Sequence, residues 1–222
     1  MVSGGRNSNA TPAQSPVVMR NYTAYQLKMR NIFFIMTLTL TLASCSKGYK
    51  KIDGKWTFVS YDEAVGKRVK FLGVDNETFT ILKDKEFATD KNNVYLFGEI
   101  IENAQSKSFH VLDNGYSADK DNVFLDCATL INADPKTFKI LDFPYSKDIK
   151  SIYCGTLPIP TSNRESFAVV EGSSVITNEL TSNFIKFNQE YAWIDTIKYK
   201  SVVYGSGKGK TKNEIFDGYK KK

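Results

Sequence analysis

One segment is written four times along this chain, and that repetition constrains the fold more than any other feature. Phe79-Thr-Ile-Leu82, Phe109-His-Val-Leu112, Phe138-Lys-Ile-Leu141 and Phe167-Ala-Val-Val170 are its copies. Between them run three copies of a second segment: Phe87-Ala-Thr-Asp-Lys-Asn-Asn-Val-Tyr95, Tyr116-Ser-Ala-Asp-Lys-Asp-Asn-Val-Phe124 and Tyr145-Ser-Lys-Asp-Ile-Lys-Ser-Ile-Tyr153. Asp90, Asp119 and Asp148 lie 29 residues apart, as do Phe109, Phe138 and Phe167, while Phe79 to Phe109 is 30. A fixed period of this length means one supersecondary unit repeated, each copy burying its apolar face on the next.

The unit reads as β-structure. The Phe segment keeps two apolar positions after a variable slot, as expected of a strand with one face buried. In the second segment, Asp and Asn tolerate turn dihedrals and bond the local backbone. Aromatic and β-branched residues flank that turn, so it reads as a β-hairpin. Ala133-Asp-Pro-Lys-Thr-Phe138 places Pro135 in a turn before the next strand. About three short strands per unit leave no room for a helix within the repeat. Val69 to Phe79 resembles the end of a unit, so a degenerate copy is expected ahead of the first clear one. The fold class expected is all-β: antiparallel hairpin repeats stacked as a short array with degenerate ends. The expected β-repeat domain spans 52–204, and Gly- and Lys-rich residues 205–222 are expected to form a basic flexible tail. Within the domain, Thr181–Phe187 and Tyr191–Val203 alternate enough to be read as strands.

Asp90-Lys-Asn-Asn-Val-Tyr95, Asp119-Lys-Asp-Asn-Val-Phe124 and Ala133-Asp-Pro-Lys-Thr-Phe138 resemble the DKNYW (DKNYY) family of bacterial repeat proteins over about 70–170. The third copy departs from the pattern, with Asp148-Ile-Lys-Ser in place of the Asp-Lys-Asn core. The resemblance implies an exported repeat protein, commonly a lipoprotein, and carries no activity to particular residues.

The beginning of the chain agrees with export. Residues 1–28 are polar, without periodicity, and are read as disordered or as an upstream extension. Met29-Arg30-Asn31 opens a signal of the secretory type over 29–44: a basic residue, the apolar run Ile32 to Ala43, then small residues. That run of 12 is shorter than the roughly 20 residues a membrane-spanning helix needs. Leu42-Ala43-Ser44-Cys45 resembles a bacterial lipobox, which implies acylation of Cys45 after cleavage. Residues 45–51 would be a tether to a bilayer, the expected membrane partner. The expected location is the cell envelope, outer-membrane or periplasm-facing.

The sequence carries a net charge of +6. Residues 1–44 hold four basic residues and no acid, and the last 25 hold eight Lys against two acids. The middle, 45–197, has 18 basic and 22 acidic residues. With no basic stripe on the folded part, no nucleic-acid partner is expected.

The remaining candidates carry little chemistry. His110, the only histidine, occupies a slot that elsewhere holds Thr80, Lys139 or Ala168, so it reads as a solvent-facing strand residue. Asp90 with Asn92, or Asp119 with Asp121, offer fewer oxygens than the six to eight calcium takes. Turn chemistry is the reading, and no metal or cofactor is expected. Gly209-Lys210-Thr211 mimics the end of a phosphate loop, but Tyr204 stands where that loop needs Gly. Cys127 and Cys154 would share an oxidising compartment and one face of equivalent strands, which admits a disulfide beside the alternative of two buried thiols. The function expected is that of a membrane-anchored envelope lipoprotein, a binding or structural module for a protein or glycan ligand and not an enzyme. The alternative is a carbohydrate-active hydrolase using paired carboxylates.

Overall fold

A computed structural model describes residues 47–222; the expected extension, the signal at 29–44 and Cys45 lie outside the described residues. The chain is nearly all β, as the repeat requires. It opens with a three-stranded antiparallel sheet, β1 (Gly48–Ile52), β2 (Lys55–Asp62) and β3 (Gly66–Phe71), in that order. Three short four-stranded meanders follow. The first is β4 (Thr80–Ile81), β5 (Phe87–Thr89), β6 (Val94–Leu96) and β7 (Glu99–Ile100). The second is β8 (His110–Val111), β9 (Tyr116–Ala118), β10 (Val123–Leu125) and β11 (Ala128–Thr129). The third is β12 (Lys139–Ile140), β13 (Tyr145–Lys147), β14 (Ile152–Cys154) and β15 (Leu157–Pro158). Each unit therefore has four strands instead of three, because the residues after the Asp hairpin turn back once more. Phe97, Asp126 and Gly155 take positive φ (51°, 52° and 62°) as the first residue of that second two-residue turn. Such turns match the twist of the strands they join.

A fourth meander lies where a flexible tail was expected, and the tail reading is corrected. β16 (Ala168–Glu171) pairs with β19 (Lys208–Lys210), which continues into β20 (Ile215–Asp217) and β21 (Lys220–Lys221). Ala168 faces Lys210 as Thr80 faces Thr89 and Lys139 faces Lys147. Thr211-Lys-Asn-Glu-Ile-Phe216 is thus a fourth Asp-Lys-Asn hairpin with Thr in the Asp position, 63 residues after Asp148 instead of 29. The difference is an insertion that splits this unit after its first strand. It contains β17 (Ile176–Leu180), α1 (Thr181–Phe187), a 3-10 turn at Gln189–Tyr191 and β18 (Ser201–Gly205), which pairs with β17. The strands expected at Thr181–Phe187 and over most of Tyr191–Val203 are corrected accordingly. The helix buries Thr181 and Phe184, and the turn that follows buries Tyr191. That three-residue step is the helical period, not the strand's alternation. The expected tether likewise ends early, since Gly48 already pairs with Val59.

Each junction between units has one hydrophobic core. Tyr49, Phe58, Phe79 and Tyr95 fill the first, and Phe87, Leu96, Ile101 and Phe124 the second. Tyr116, Leu125, Leu130 and Tyr153 are in the third; Tyr145, Cys154, Phe184 and Phe216 are in the fourth. The repeated phenylalanine makes the junction. Phe109 sits 5.7 Å from Phe87, Phe138 5.3 Å from Tyr116, and Phe167 5.3 Å from Tyr145, ring centre to ring centre. Pairs at this spacing add about 0.5–1.5 kcal/mol beyond the area they bury. The residue after each hairpin aromatic is small: Ala88, Ser117 and Ser146, with Gly209 in the fourth unit. At Gly209 a Cβ would run into the Phe167 ring.

The insertion is fixed to the array at Thr156. The Thr156 amide donates to the Val203 carbonyl (2.7 Å), and the Val203 amide donates to Thr156 Oγ1 (2.9 Å). Gly155 is needed beside it, because a Cβ there would collide with the Val203 carbonyl.

Phe216 is fully buried. Phe216→Ala is therefore expected to lower the free energy of unfolding by about 3–5 kcal/mol in urea denaturation. Lys222→Ala should leave it unchanged, and a flexible tail would leave both unchanged.

Candidate functional site

The repeat aspartates are the residues a search for chemistry meets first, and their geometry is structural. Asp90 Oδ1 accepts from the amides of Asn92 (2.8 Å) and Asn93 (2.7 Å). Its Oδ2 accepts from the Asp75 amide (2.9 Å), in the linker before the unit, and from the Tyr95 hydroxyl (2.9 Å). Asp119 accepts in the same way from Asp121, Asn122 and the Gln105 amide. Asp148 accepts from Lys150, Ser151, the Asp134 amide and the Tyr153 hydroxyl. A linker hydroxyl completes the turn: the amides of Lys91, Lys120 and Ile149 donate to Thr78, Ser108 and Thr137. In the fourth unit Lys212 donates to Ser166. Thr211 brings no carboxylate there, and Glu214 supplies one, accepting from Thr161 and Thr211. All three aspartates are buried, with their oxygens committed to local donors, so the calcium reading has no support in the geometry. Among the described residues, no group of three or more His, Cys, Asp or Glu side chains is arranged to hold a metal ion.

His110 lies exposed on β8, with Nδ1 3.2 Å from the Ser108 carbonyl oxygen. Gly209-Lys210-Thr211 spans the end of β19 and the hairpin turn of the fourth unit. Cys127 and Cys154 are both free thiols, the alternative that stood beside a bridge. They do not occupy equivalent strands. Cys154 ends β14 inside the fourth core, 3.4 Å from the Gly205 carbonyl. Cys127 is the second residue of the turn between β10 and β11, against the second core. The repeat counterpart of Cys127 is Thr156, so spacing from the hairpin aromatics misplaced it. Burial pushes the Cys127 thiol up to about 11, helped by Asp126, and the Cys154 thiol up to about 12. Both stay protonated near neutral pH and are poor nucleophiles.

Two places present accessible chemistry. The first is the insertion. Its helix and turns bury Phe184, Tyr191 and Ile194 but leave Phe187 87% exposed, Ile197 86% and Trp193 57%. Beside it, a groove of about 450 Å³ runs between the insertion and the first two meanders. Ile100 and Leu180 line it, flanked by the ion pair of Lys200 and Glu102 at 2.7 Å. Sequence reasoning missed this surface because an apolar residue in an alternating stretch reads as core; the lost 29-residue spacing after Val170 was the one available sign. The second is a pocket of about 250 Å³ lined by Asp84, Glu86, Asp113 and Asp126 among others. Burial raises the Asp126 carboxyl above the ordinary carboxylate range. Asp84 is already engaged, accepting from the Glu86 amide at 3.1 Å.

The aspartate turns predict acid sensitivity with a definite sign. Burial of Asp90 opposes its ionisation, but the amides of Asp75, Asn92 and Asn93 and the Tyr95 hydroxyl outweigh it and hold the carboxyl below its ordinary value. Asp75, beside Lys91 and Thr78, is held at about 2. A depressed folded value contributes stability above the unfolded value of about 4, lost as pH falls through the folded value. Thermal melts should therefore fall between about pH 4 and pH 2. Asp90→Ala should cost about 2–4 kcal/mol at neutral pH by leaving several amides unpaired. It should also flatten that acid limb.

No curated protein and no solved structure matches this chain. The family model described as the DKNYY family matches it twice, over residues 14–128 and 116–222. The second match extends through the fourth hairpin to the end of the chain, in agreement with the split unit. By its two matches and its four stacked hairpin units, the chain belongs to the DKNYY family.

Proposed function

We propose that this protein is exported, acylated at Cys45 and held on a membrane of the cell envelope, where it acts as a binding module for a protein or glycan ligand. The observation that carries the binding role is the insertion. The strand pairing of the unit does not need it, since β16 and β19 pair across it as their counterparts pair in sequence, although it adds Phe184 and Tyr191 to the fourth core. Yet it displays Phe187, Trp193 and Ile197 to solvent, in addition to the side chains that pack it down. Exposed aromatic and aliphatic groups of this kind serve recognition, and Trp and Tyr are enriched where binding energy concentrates. The anchor is supported by the order of basic residue, apolar run, small residues and Cys45. Among the described residues no helix is long and apolar enough to cross a membrane.

A hydrolase is the second reading, favoured by one observation: Asp126 is the carboxyl raised by burial, in a pocket with other acids. Asp126→Asn would abolish any release of reducing ends from envelope polysaccharide, and absence of release by the wild type would remove this reading.

Three measurements test the proposal. Radiolabelled fatty acid should enter the wild type and not Cys45→Ala, and only the wild type should fractionate with membranes; equal partitioning of both would refute the anchor. A photo-crosslinker at position 187 should give a discrete adduct in cells, lost with Trp193→Ser. Purified peptidoglycan fragments should shift the Trp193 fluorescence if the ligand is a glycan. With neither signal, the binding role at the insertion fails.

A further inference from the structure

We infer that the outer edge of β17 is a docking site for an extended segment of a partner protein, which joins the β17–β18 sheet as a further strand. The inference rests on the reading of the insertion as the recognition element, and it adds that the ligand is a polypeptide and not a glycan. The free edge follows from hydrogen-bond alternation. At the two ends of the ladder, the Thr181 amide donates to the Lys200 carbonyl (3.0 Å) and the Ser206 amide to the Val175 carbonyl (3.4 Å). Bonded and non-bonded pairs alternate along antiparallel strands. Thr177 and Glu179 therefore turn their backbone groups to β18, and Ile176, Asn178 and Leu180 turn theirs away from it. No strand pairs on that side, and among the described residues nothing bonds to those three amides and carbonyls. The far edge of β18 differs, because Thr156 occupies both backbone groups of Val203.

The other sheet edges are guarded. The outer strands of the first three meanders have two residues each. β21 is Lys220–Lys221, and a register shift interrupts β16. β1 carries Lys50 and Lys51, and β3 carries Lys67, Arg68 and Lys70. Short strands, irregular pairing and lysines are the usual protections against a stray strand. β17, Ile-Thr-Asn-Glu-Leu, runs five residues without Lys, Pro or bulge. Ile176 and Leu180 are 38% and 58% exposed on it. Its outward donors and acceptors recur every two residues, roughly 6.6–6.8 Å, which is the spacing of another strand.

The groove beside this edge states what the added strand carries. Asn178 and Leu180 line its volume of about 450 Å³ together with Ile100, which is 49% exposed. Side chains on one face of the added strand would enter it. That volume is on the scale of a ligand pocket and suits a segment more than a second folded copy. The charges around the groove are already engaged: Glu102 with Lys200, Glu99 with Lys70, and Lys198 over the Tyr199 ring. Apolar residues therefore fit opposite Ile176, Asn178 and Leu180. On the other face, Glu179 accepts from the Tyr204 hydroxyl (2.6 Å) and is the one charge of β17, so a basic residue fits opposite it. Main-chain bonds then supply affinity, and alternate side chains supply selectivity.

The probe is the peptide Thr-Val-Lys-Val-Thr-Val-Thr, blocked at both ends and titrated into the isotope-labelled full-length chain. The amides of Ile176, Asn178 and Leu180 are expected to shift downfield in NMR spectra and to gain protection from hydrogen exchange. Those of Thr177 and Glu179, already bonded to β18, should change little. N-methylation of the three valine amides of the peptide should abolish binding, because these face β17. N-methylation at its lysine and central threonine should leave binding intact. Asn178→Pro removes an outward donor at an edge position, where proline is tolerated, and should weaken binding on the order of tenfold. Asn178→Ala should bind as the wild type does. The two methylated peptides need no protein variant, so they decide the question even where Asn178→Pro unfolds the insertion. Unshifted edge amides, or equal loss with either methylated peptide, would overturn the inference. So would dimerisation of the chain alone that Asn178→Pro abolishes, which would give the edge to a second copy. The adduct at position 187 separates this inference from the binding role: if it is lost with Trp193→Ser but kept with Asn178→Pro, the insertion binds its ligand and the β17 edge does not.

Discussion

A tight turn leaves amide groups pointing into its own mouth, and in three of the four units those amides are taken by a carboxylate. Asp90, Asp119 and Asp148 each take two amides of the turn on one oxygen and reach with the other to the linker that enters the unit. A single side chain thus shapes the hairpin and ties it to the preceding chain. Unpaired, those buried amides would cost about 1–3 kcal/mol each. The strands of the meanders are only two to four residues long and contribute few ladder bonds of their own. The repeat therefore depends on these turns more than on its sheets.

The phenylalanine of each unit then converts hairpins into an array. It lies against the aromatic of the hairpin before it, and the small residue at the next hairpin position leaves room for close approach. Nothing in this arrangement requires the units to be contiguous in sequence. The fourth tolerates an insertion between its first two strands, because β16 and β19 meet in the same register as their counterparts. The insertion adds Phe184 and Tyr191 to the fourth core and leaves Phe187, Trp193 and Ile197 outside it.

Much of the fold was legible in the residues. The turn role of Asp90, the core role of the aromatics and the exposure of His110 all follow from slot-by-slot comparison, since a slot that varies between Thr, His, Lys and Ala has no one neighbour to satisfy. The fourth hairpin was overlooked because Thr211 replaces the aspartate by which the others are recognised. Thr211 Oγ1 accepts the Asn213 amide in the turn, Glu214 accepts from the Thr161 and Thr211 hydroxyls, and only Lys212-Asn213 with Ile215-Phe216 preserved the pattern. The geometry that admitted a Cys127–Cys154 bridge was misread for a similar reason: a difference of two positions preserves the face of a strand only while the strand continues, and here it had already turned.

The sequence by itself determined the period, the strand chemistry and the family, because each unit satisfies its amides and presents its aromatic within about thirty residues of chain. Tertiary structure decided what lies far apart in sequence: that Ala168 pairs with Lys210, that Thr156 receives Val203, and which apolar residues of the insertion are left outside. Local patterns record the needs of a turn or a strand. They do not record which of two equally apolar side chains, Phe184 or Phe187, will find the core, since that depends on where the rest of the array stands.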